Sequence, residues 1–254
     1  MKIISIANRK GGVGKTTFCI NLAEELARYG YRILLLDMDS QCDLTKSFAP
    51  KKVNLPQIKR RLTILEVLEG KCSLKDTIIK IDKGIYLVPG NKQIEGFNSK
   101  NGKMFLEKGL SSKNLKRFDI ILVDYPPQNN NATNAALSLT DYVLIVTEAE
   151  TLSIHNLNEY ITDLLKLKKK VNPSLKILGL VANKVDLRRN LTKKKLNELS
   201  TSFNIYFFEE YVSTDTAIPL SLDRKIPVRL LNYRSRTVTQ FQRIASKMLE
   251  RMGV

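Results

Sequence analysis

Residues 3–17 read Ile3-Ile4-Ser5-Ile6-Ala7-Asn8-Arg9-Lys10-Gly11-Gly12-Val13-Gly14-Lys15-Thr16-Thr17, and this stretch decides the fold. Ile3 to Ala7 form a short apolar run that stops at a glycine-rich turn. Beyond the turn, Phe18, Leu22, Leu26 and Tyr29 recur at helical spacing, with Gly30 as a stop. A glycine-rich loop between a strand and a helix is the context of a phosphate loop. Gly11, Gly12 and Gly14 let the backbone wrap closely, so that the amides of Gly11 to Thr17, Val13 included, and the helix N-terminus face an anion. Lys15 supplies a point charge to β- and γ-phosphates, and the Thr16 hydroxyl is placed to ligate Mg²⁺.

Working outward, short apolar runs recur at Arg32 to Leu36, Ile85 to Val88, Ile120 to Val123, Tyr142 to Val146 and Ile177 to Val181. Helix-like stretches lie between them, at Ile64 to Leu68, Ser153 to Leu167 and Thr192 to Leu199. Residues 90–117 read as a loop with a short helix around Met104 to Leu106. Runs apolar on both faces and alternating with helices imply an α/β fold, a mostly parallel twisted sheet with helices on both faces. Strands are spread along the whole chain and no segment resembles a linker, so residues 1–254 are expected to form a single domain.

The 254 residues hold 42 Lys and Arg against 25 Asp and Glu, a formal charge of +17 with a pI near 9.8. The excess is uneven. Residues 1–159 carry 23 basic and 17 acidic side chains, and residues 160–254 carry 19 and 8. A polyanionic partner is therefore expected to meet the C-terminal part. Cys19, Cys42 and Cys72 with the single His155 offer neither a zinc spacing nor a disulfide framework, which fits a reducing cytoplasm. Met1-Lys2 runs straight into the first apolar run without a signal peptide, and no run is long enough to span a bilayer.

The loop departs from the standard pattern, with Arg9 where glycine is usual and a second lysine, Lys10, ahead of the glycines. In this it resembles the deviant Walker A family of ATPases, which includes the ParA/Soj partition proteins, MinD and the nitrogenase iron protein. The resemblance implies a P-loop NTPase fold with ATP and Mg²⁺. It also implies a role for Lys10 in reaching across a nucleotide-sandwich homodimer to the partner's phosphates. Leu34 to Gln41 resembles the Walker A′ segment, by which Asp39 would orient the attacking water and Asp37 would help hold the Mg²⁺ shell; Ser40 replaces the common proline. Ile121 to Pro127 resembles Walker B, where Asp124 would hold Mg²⁺ through water and Tyr125 stands in place of threonine.

Asn183 sits where the family often places an adenine-contacting amide, yet Asn183-Lys184-Val185-Asp186 also matches the guanine-reading motif of GTPases. Ile218-Pro219-Leu220-Ser221, with Lys225-Ile226-Pro227-Val228 after it, resembles the family's C-terminal Ile-Pro segment that closes over the base. None of the cysteines resembles an iron–sulfur ligand, which excludes the reductase branch. Phe241, Ile244, Ala245, Met248, Leu249 and Met252 form one apolar face, readable either as core or as a membrane-docking helix of a MinD-like positioning ATPase.

The DNA reading accounts for more of the charge. Candidate contacts are Arg188, Arg189, Lys193, Lys194 and Lys195, then Arg224, Lys225, Arg229, Arg234 and Arg236, with Lys166 to Lys170 as a solvated helix face. Without a base-reading motif these suggest phosphate contacts and little sequence preference. The chain opens at the first strand, so the extra N-terminal DNA-reading domain of longer partition ATPases is expected to be absent. The expectation is a small ParA/Soj-type ATPase of the cytoplasm, associated with the nucleoid. ATP would dimerise it on nonspecific double-stranded DNA, and a ParB-like protein would trigger slow, Mg²⁺-dependent hydrolysis. The cargo would be a plasmid or a chromosome.

Overall fold

Five of the six residues of the first strand, β1 (Lys2–Ala7), are buried, and so are all five of β2 (Ile33–Asp37) and β5 (Ile120–Asp124). Strands covered on both faces have no solvent side to alternate with, so they read as unbroken apolar runs. The computed structural model describes residues 1–48, 62–128, 130–150 and 153–254. The remaining strands are β3 (Ile79–Asp82), β4 (Ile85–Val88), β6 (Tyr142–Glu148), β7 (Lys176–Val185) and β8 (Phe207–Ser213). They form one sheet in the order β3-β4-β2-β5-β1-β6-β7-β8, parallel throughout except for β3 on β4.

Among the described residues the α-helices are α1 (Lys15–Arg28), α2 (Asp43–Phe48), α3 (Ile64–Leu68), α4 (Leu74–Thr77), α5 (Gly102–Leu110) and α6 (Asn131–Leu137). They continue with α7 (Ser153–Lys170), α8 (Asn190–Ser202), α9 (Ala217–Asp223), α10 (Val228–Leu231) and α11 (Arg236–Met252). On one face Ile4, Ile6, Leu35 and Leu122 pack against Phe18 and Leu22 of α1 and Phe241, Ile244 and Met248 of α11. On the other, Leu34, Leu36, Ile121 and Val123 meet Leu68 and Leu106, while Val143, Ile145 and Leu180 meet Leu157, Tyr160 and Leu164 of α7. This is the mostly parallel sheet with helices on both faces that the alternation implies, and it agrees with the P-loop NTPase fold implied by the resemblance.

Two strands escaped the sequence reading. β3 has only four residues at an antiparallel edge, and β8 carries Glu209 and Glu210 at its middle. An edge strand has one ladder side open to water, so its pattern is weak.

The apolar stripe near the C-terminus is core. Val238, Phe241, Ile244, Ala245, Met248 and Met252 of α11 are buried, and the rings of Phe18 and Phe241 meet edge-on at 5.1 Å. Arg251 then fastens the end of the helix. Its guanidinium donates to the carbonyls of Leu178 and Tyr206 (2.9 Å each) and Phe207 (2.8 Å) and lies 4.2 Å from the centroid of the Phe208 ring. Gly179 makes room, since a Cβ there would stand 2.0 Å from the Phe208 ring and 2.7 Å from the Arg251 guanidinium.

Candidate functional site

In an open parallel sheet, ligands gather beyond the carboxyl ends of the strands where the chain switches direction. Here β1 lies between β5 and β6; the loop after β1 bonds to Glu148 of β6 and Asn183 of β7, and Thr16 just beyond it bonds to Asp124 of β5. A cavity of about 570 Å³ opens there, lined by Gly11, Gly12, Gly14, Lys15, Thr16, Thr17 and Asp39 on one part and by Leu222 and Lys225 on another.

The loop conformation follows from its glycines. Gly12 and Gly14 take φ of +73° and +101°, and Gly14 stands at the start of α1. A Cβ on Gly14 would lie 2.3 Å from Asn183 Nδ2, so only glycine lets β7 approach the loop. Asn183 Nδ2 donates to the Val13 carbonyl at 2.7 Å and Lys184 Nζ donates to the Gly12 carbonyl at 2.7 Å. The loop is thus held by β7 through two of its carbonyls.

Lys15 is 7% exposed, and its Nζ donates to the Lys10 carbonyl at 3.2 Å. Burial pulls its pKa below the ordinary lysine value, against the attraction of Asp124 and Asp39. Thr16 Oγ1 donates to Asp124 Oδ2 at 2.7 Å, while Asp124 Oδ1 is buried without a hydrogen-bond partner. Burial, with Asp37 beside it, holds the Asp124 carboxyl well above its usual range. A buried carboxylate oxygen with nothing to accept from, next to a hydroxyl, is a donor set that fits a hard divalent cation such as Mg²⁺.

Asp37 departs from expectation. It is fully buried, faces Asp124 across the β2–β5 register and does not line the cavity. Its Oδ2 accepts from the Thr45 amide (2.8 Å) and hydroxyl (2.5 Å), and its Oδ1 from the Asp39 amide (3.2 Å). Burial raises its pKa to about 6 against these hydrogen bonds. One oxygen is taken up by Thr45 of α2 and the other by the Asp39 amide, and Asp39 is the carboxylate of the pair that reaches the cavity.

Lys10 stands outside the cradle. Its Nζ donates to Glu148 Oε2 at 3.1 Å and Glu150 Oε2 at 2.5 Å. Partial burial opposes its charge, but the two glutamates prevail and raise its pKa. Lys184 joins the same cluster through Glu148 Oε1 at 2.7 Å. Arg9, which replaces the usual glycine, pairs with Asp163 of α7. Glu148 and Glu150 were missed in the sequence, although they repeat the strand-end pattern of two carboxylates one residue apart that singled out Asp37 and Asp39.

Two further expectations are corrected. Pro219 lies within α9 and does not line the cavity; Leu222 and Lys225, later on the same segment, do. Arg229 is not a free cation, because Nε and Nη2 pair with the buried Glu25 at 2.8 and 2.6 Å. Asn183 reaches the loop rather than the open cavity, leaving its own Oδ1 buried and without a partner. Asp186 accepts both branches of the Arg188 guanidinium at 2.8 and 2.9 Å, which pulls its pKa down to about 2. Arg189, Arg224, Arg234 and Arg236 are exposed; Arg234 donates to Tyr233 and Arg236 to the Thr214 carbonyl.

Sheet order, glycine loop and the hydrogen bond from Thr16 to the buried Asp124 together define a P-loop nucleotide-binding protein. The AAA domain family model (AAA_31) matches residues 1–177, and the chain belongs to that family, as a ParA/MinD-type P-loop ATPase. It is 26% identical over 254 residues to the sporulation initiation inhibitor protein Soj of Bacillus subtilis, covering 97% of this chain and 98% of that one. It is 24% identical over 258 residues to the chromosome partitioning protein ParA of Caulobacter vibrioides, covering 99% and 95%. Among solved structures, a plasmid partition protein of Borrelia burgdorferi bound to AMPPNP superposes with a TM-score of 0.81 at 25% identity, covering 99% and 98%.

Proposed function

We propose that this chain is a partition ATPase acting as one domain. It binds ATP with Mg²⁺, pairs into a homodimer, coats double-stranded DNA without sequence preference, and hydrolyses ATP slowly until a ParB-like partner stimulates it. The observation that carries this reading is the division of labour between two lysines on one loop. Lys15 is buried at the cradle and serves its own site, whereas Lys10 sits outside it on an exchangeable pair of glutamates. A cation held that way can be handed to a partner's phosphates when two cradles face each other, which ties dimerisation to bound nucleotide.

In this reading the amides of Gly11 to Thr17 and the Lys15 ammonium hold the phosphates. Thr16 and Asp124 hold the cation, with Asp37 acting behind them as the anchor of the Asp39 loop. Asp39 orients the attacking water. Mg²⁺ held there would neutralise part of the triphosphate charge. ATP is favoured over GTP because the lysine-bearing loop resembles that of the ATPases and Asp186, the residue that would accept from guanine, does not line the cavity.

Arg189, Lys193, Lys194, Arg224, Arg234 and Arg236 supply exposed charge for DNA phosphates in the cytoplasm, at the nucleoid. The pinning of α11 by Arg251 speaks for DNA over a MinD-like membrane role. Each large apolar side chain stripped from a core costs about 1.5–3 kcal/mol, so freeing five of them costs on the order of 10 kcal/mol. No helix of the described residues is long and apolar enough to cross a membrane.

Co-sedimentation with DNA and with anionic liposomes, each with ATP, ADP or no nucleotide, tests the proposal. ATP-dependent pelleting with DNA is expected. Pelleting with liposomes alone replaces the partition role with a membrane-positioning one.

A further inference from the structure

Among the described residues, three that are not glycine adopt left-handed backbone: Cys42 (φ +53°), Lys184 (+54°) and Lys225 (+58°). One of them lines the nucleotide cavity and the other two adjoin residues of its wall. Cys42 follows Gln41 of its wall, Lys184 holds the Gly12 carbonyl, and Lys225 lines it directly. Strained backbone concentrates where a side chain is needed in a particular place.

Lys225 is the most instructive of the three. It terminates α9 in a wrap where the Lys225 amide donates to the Leu222 carbonyl (3.1 Å) and the Ile226 amide to the Ser221 carbonyl (3.0 Å). The left-handed position of such a wrap is the one glycine fills without strain. A lysine there costs conformational energy that a glycine does not, so the cap itself gives no reason for it.

The next residues explain where Lys225 is held. The Val228 amide donates to Asn21 Oδ1 at 2.9 Å, Asn21 Nδ2 donates to the Thr17 carbonyl at 2.8 Å, and Arg229 pairs with Glu25. The segment just after Lys225 is therefore fastened to α1 directly beyond the turn that bears Thr16 and Thr17. Of the lysines lining the cavity, Lys46 pairs with Asp43, whereas Lys225 makes no ion pair with a described residue.

We propose that Lys225 is a nucleotide-binding residue, a second cation supplied within the same subunit to the phosphates of a nucleoside di- or triphosphate. It brings the C-terminal segment onto the ligand held by the first helix. The inference rests on the nucleotide site proposed above. It also withdraws Lys225 from the DNA candidates.

The test is calorimetric titration of the full chain with MgADP and MgATP, alongside thermal melts without nucleotide. Lys225→Gly relieves the backbone, so the nucleotide-free melting temperature should hold or rise while affinity for both nucleotides falls on the order of tenfold, the scale of one lost charge-assisted contact. Lys225→Asn, which also tolerates left-handed backbone, should lose the same affinity, and Lys225→Arg should restore most of it. Adenosine should bind wild type and Lys225→Gly alike. Unchanged nucleotide affinity in Lys225→Gly overturns the proposal, and so does a loss confined to DNA binding. Lys15→Ala is the separate control, because a Lys15→Ala protein that binds like wild type sinks the nucleotide site itself.

Discussion

Arg229 and Glu25 are joined twice, Nε to Oε1 at 2.8 Å and Nη2 to Oε2 at 2.6 Å, across 204 residues of chain. Glu25 is 4% exposed and Arg229 17%, so the pair is largely removed from water. Removing one partner of a buried pair strands the other's charge. Arg229→Ala should therefore destabilise the protein by about 3 kcal/mol, read as a shift of the urea midpoint at constant slope. A loss below about 0.5 kcal/mol would place the pair among surface contacts. DNA-binding tests should leave Arg229 intact, since its reversal confounds contact loss with unfolding.

The two lysines and Asp39 separate three steps. Lys15→Ala should lose ATP affinity, because the amide cradle is left without its charge partner. Asp39→Ala should keep affinity but lose turnover, trapping an ATP-bound dimer. Lys10→Ala should bind ATP and stay monomeric. Light scattering after size exclusion reads all three, and a monomeric Asp39→Ala protein at saturating ATP contradicts the sandwich mechanism.

Base choice follows from Asp186. With its carboxylate outside the cavity lining, GTP should displace labelled ATP poorly. Equal displacement at equal concentration would show that the stretch from Asn183 to Asp186 reads guanine.

DNA binding should be strong only when ATP pairs two subunits, because the second set of phosphate contacts then becomes intramolecular and raises avidity about a hundredfold or more. It should weaken steeply with salt as counterions are released and differ little between unrelated sequences. Replacing Arg189, Arg224, Arg234 and Arg236 with Glu should abolish it while ATP binding and dimerisation persist. Fluorescence anisotropy with two unrelated duplexes at several salt concentrations decides the matter.

Deletion of residues 241–254 should unfold the protein rather than merely detach it from a surface. It removes Phe241, Ile244 and Met248 from the core and the Arg251 clasp from three carbonyls. A truncated protein with an unchanged melting temperature would return α11 to the membrane reading.

What could be read from the sequence was local. The loop from Lys10 to Thr17 is contiguous, and its geometry depends on glycines whose conformational freedom is a property of each residue alone. The buried parallel strands are legible for a similar reason: covered on both faces, they have no polar side to blur the pattern, and only the edges β3 and β8 were lost. Asp39 and Asp124 were singled out because Leu34 to Gln41 and Ile121 to Pro127 are contiguous stretches that resemble the Walker A′ and Walker B segments.

The tertiary structure decided what each charge and apolar stripe is used for. Arg229 looks like any other arginine until Glu25 of the first helix closes on it, and Lys10 looks free until Glu148 and Glu150 receive it. Asp37 and Asp39 look alike in sequence, yet Thr45 and Gly90 enclose one and leave the other facing the cavity. The stripe of α11 is ambiguous by itself, because core and membrane ask for the same side chains; Phe18 and the carbonyls around Phe208 resolve it. Such pairings join residues far apart in the chain. A charge or an apolar surface has a fixed chemistry in the sequence, but its partner is set only when the chain folds.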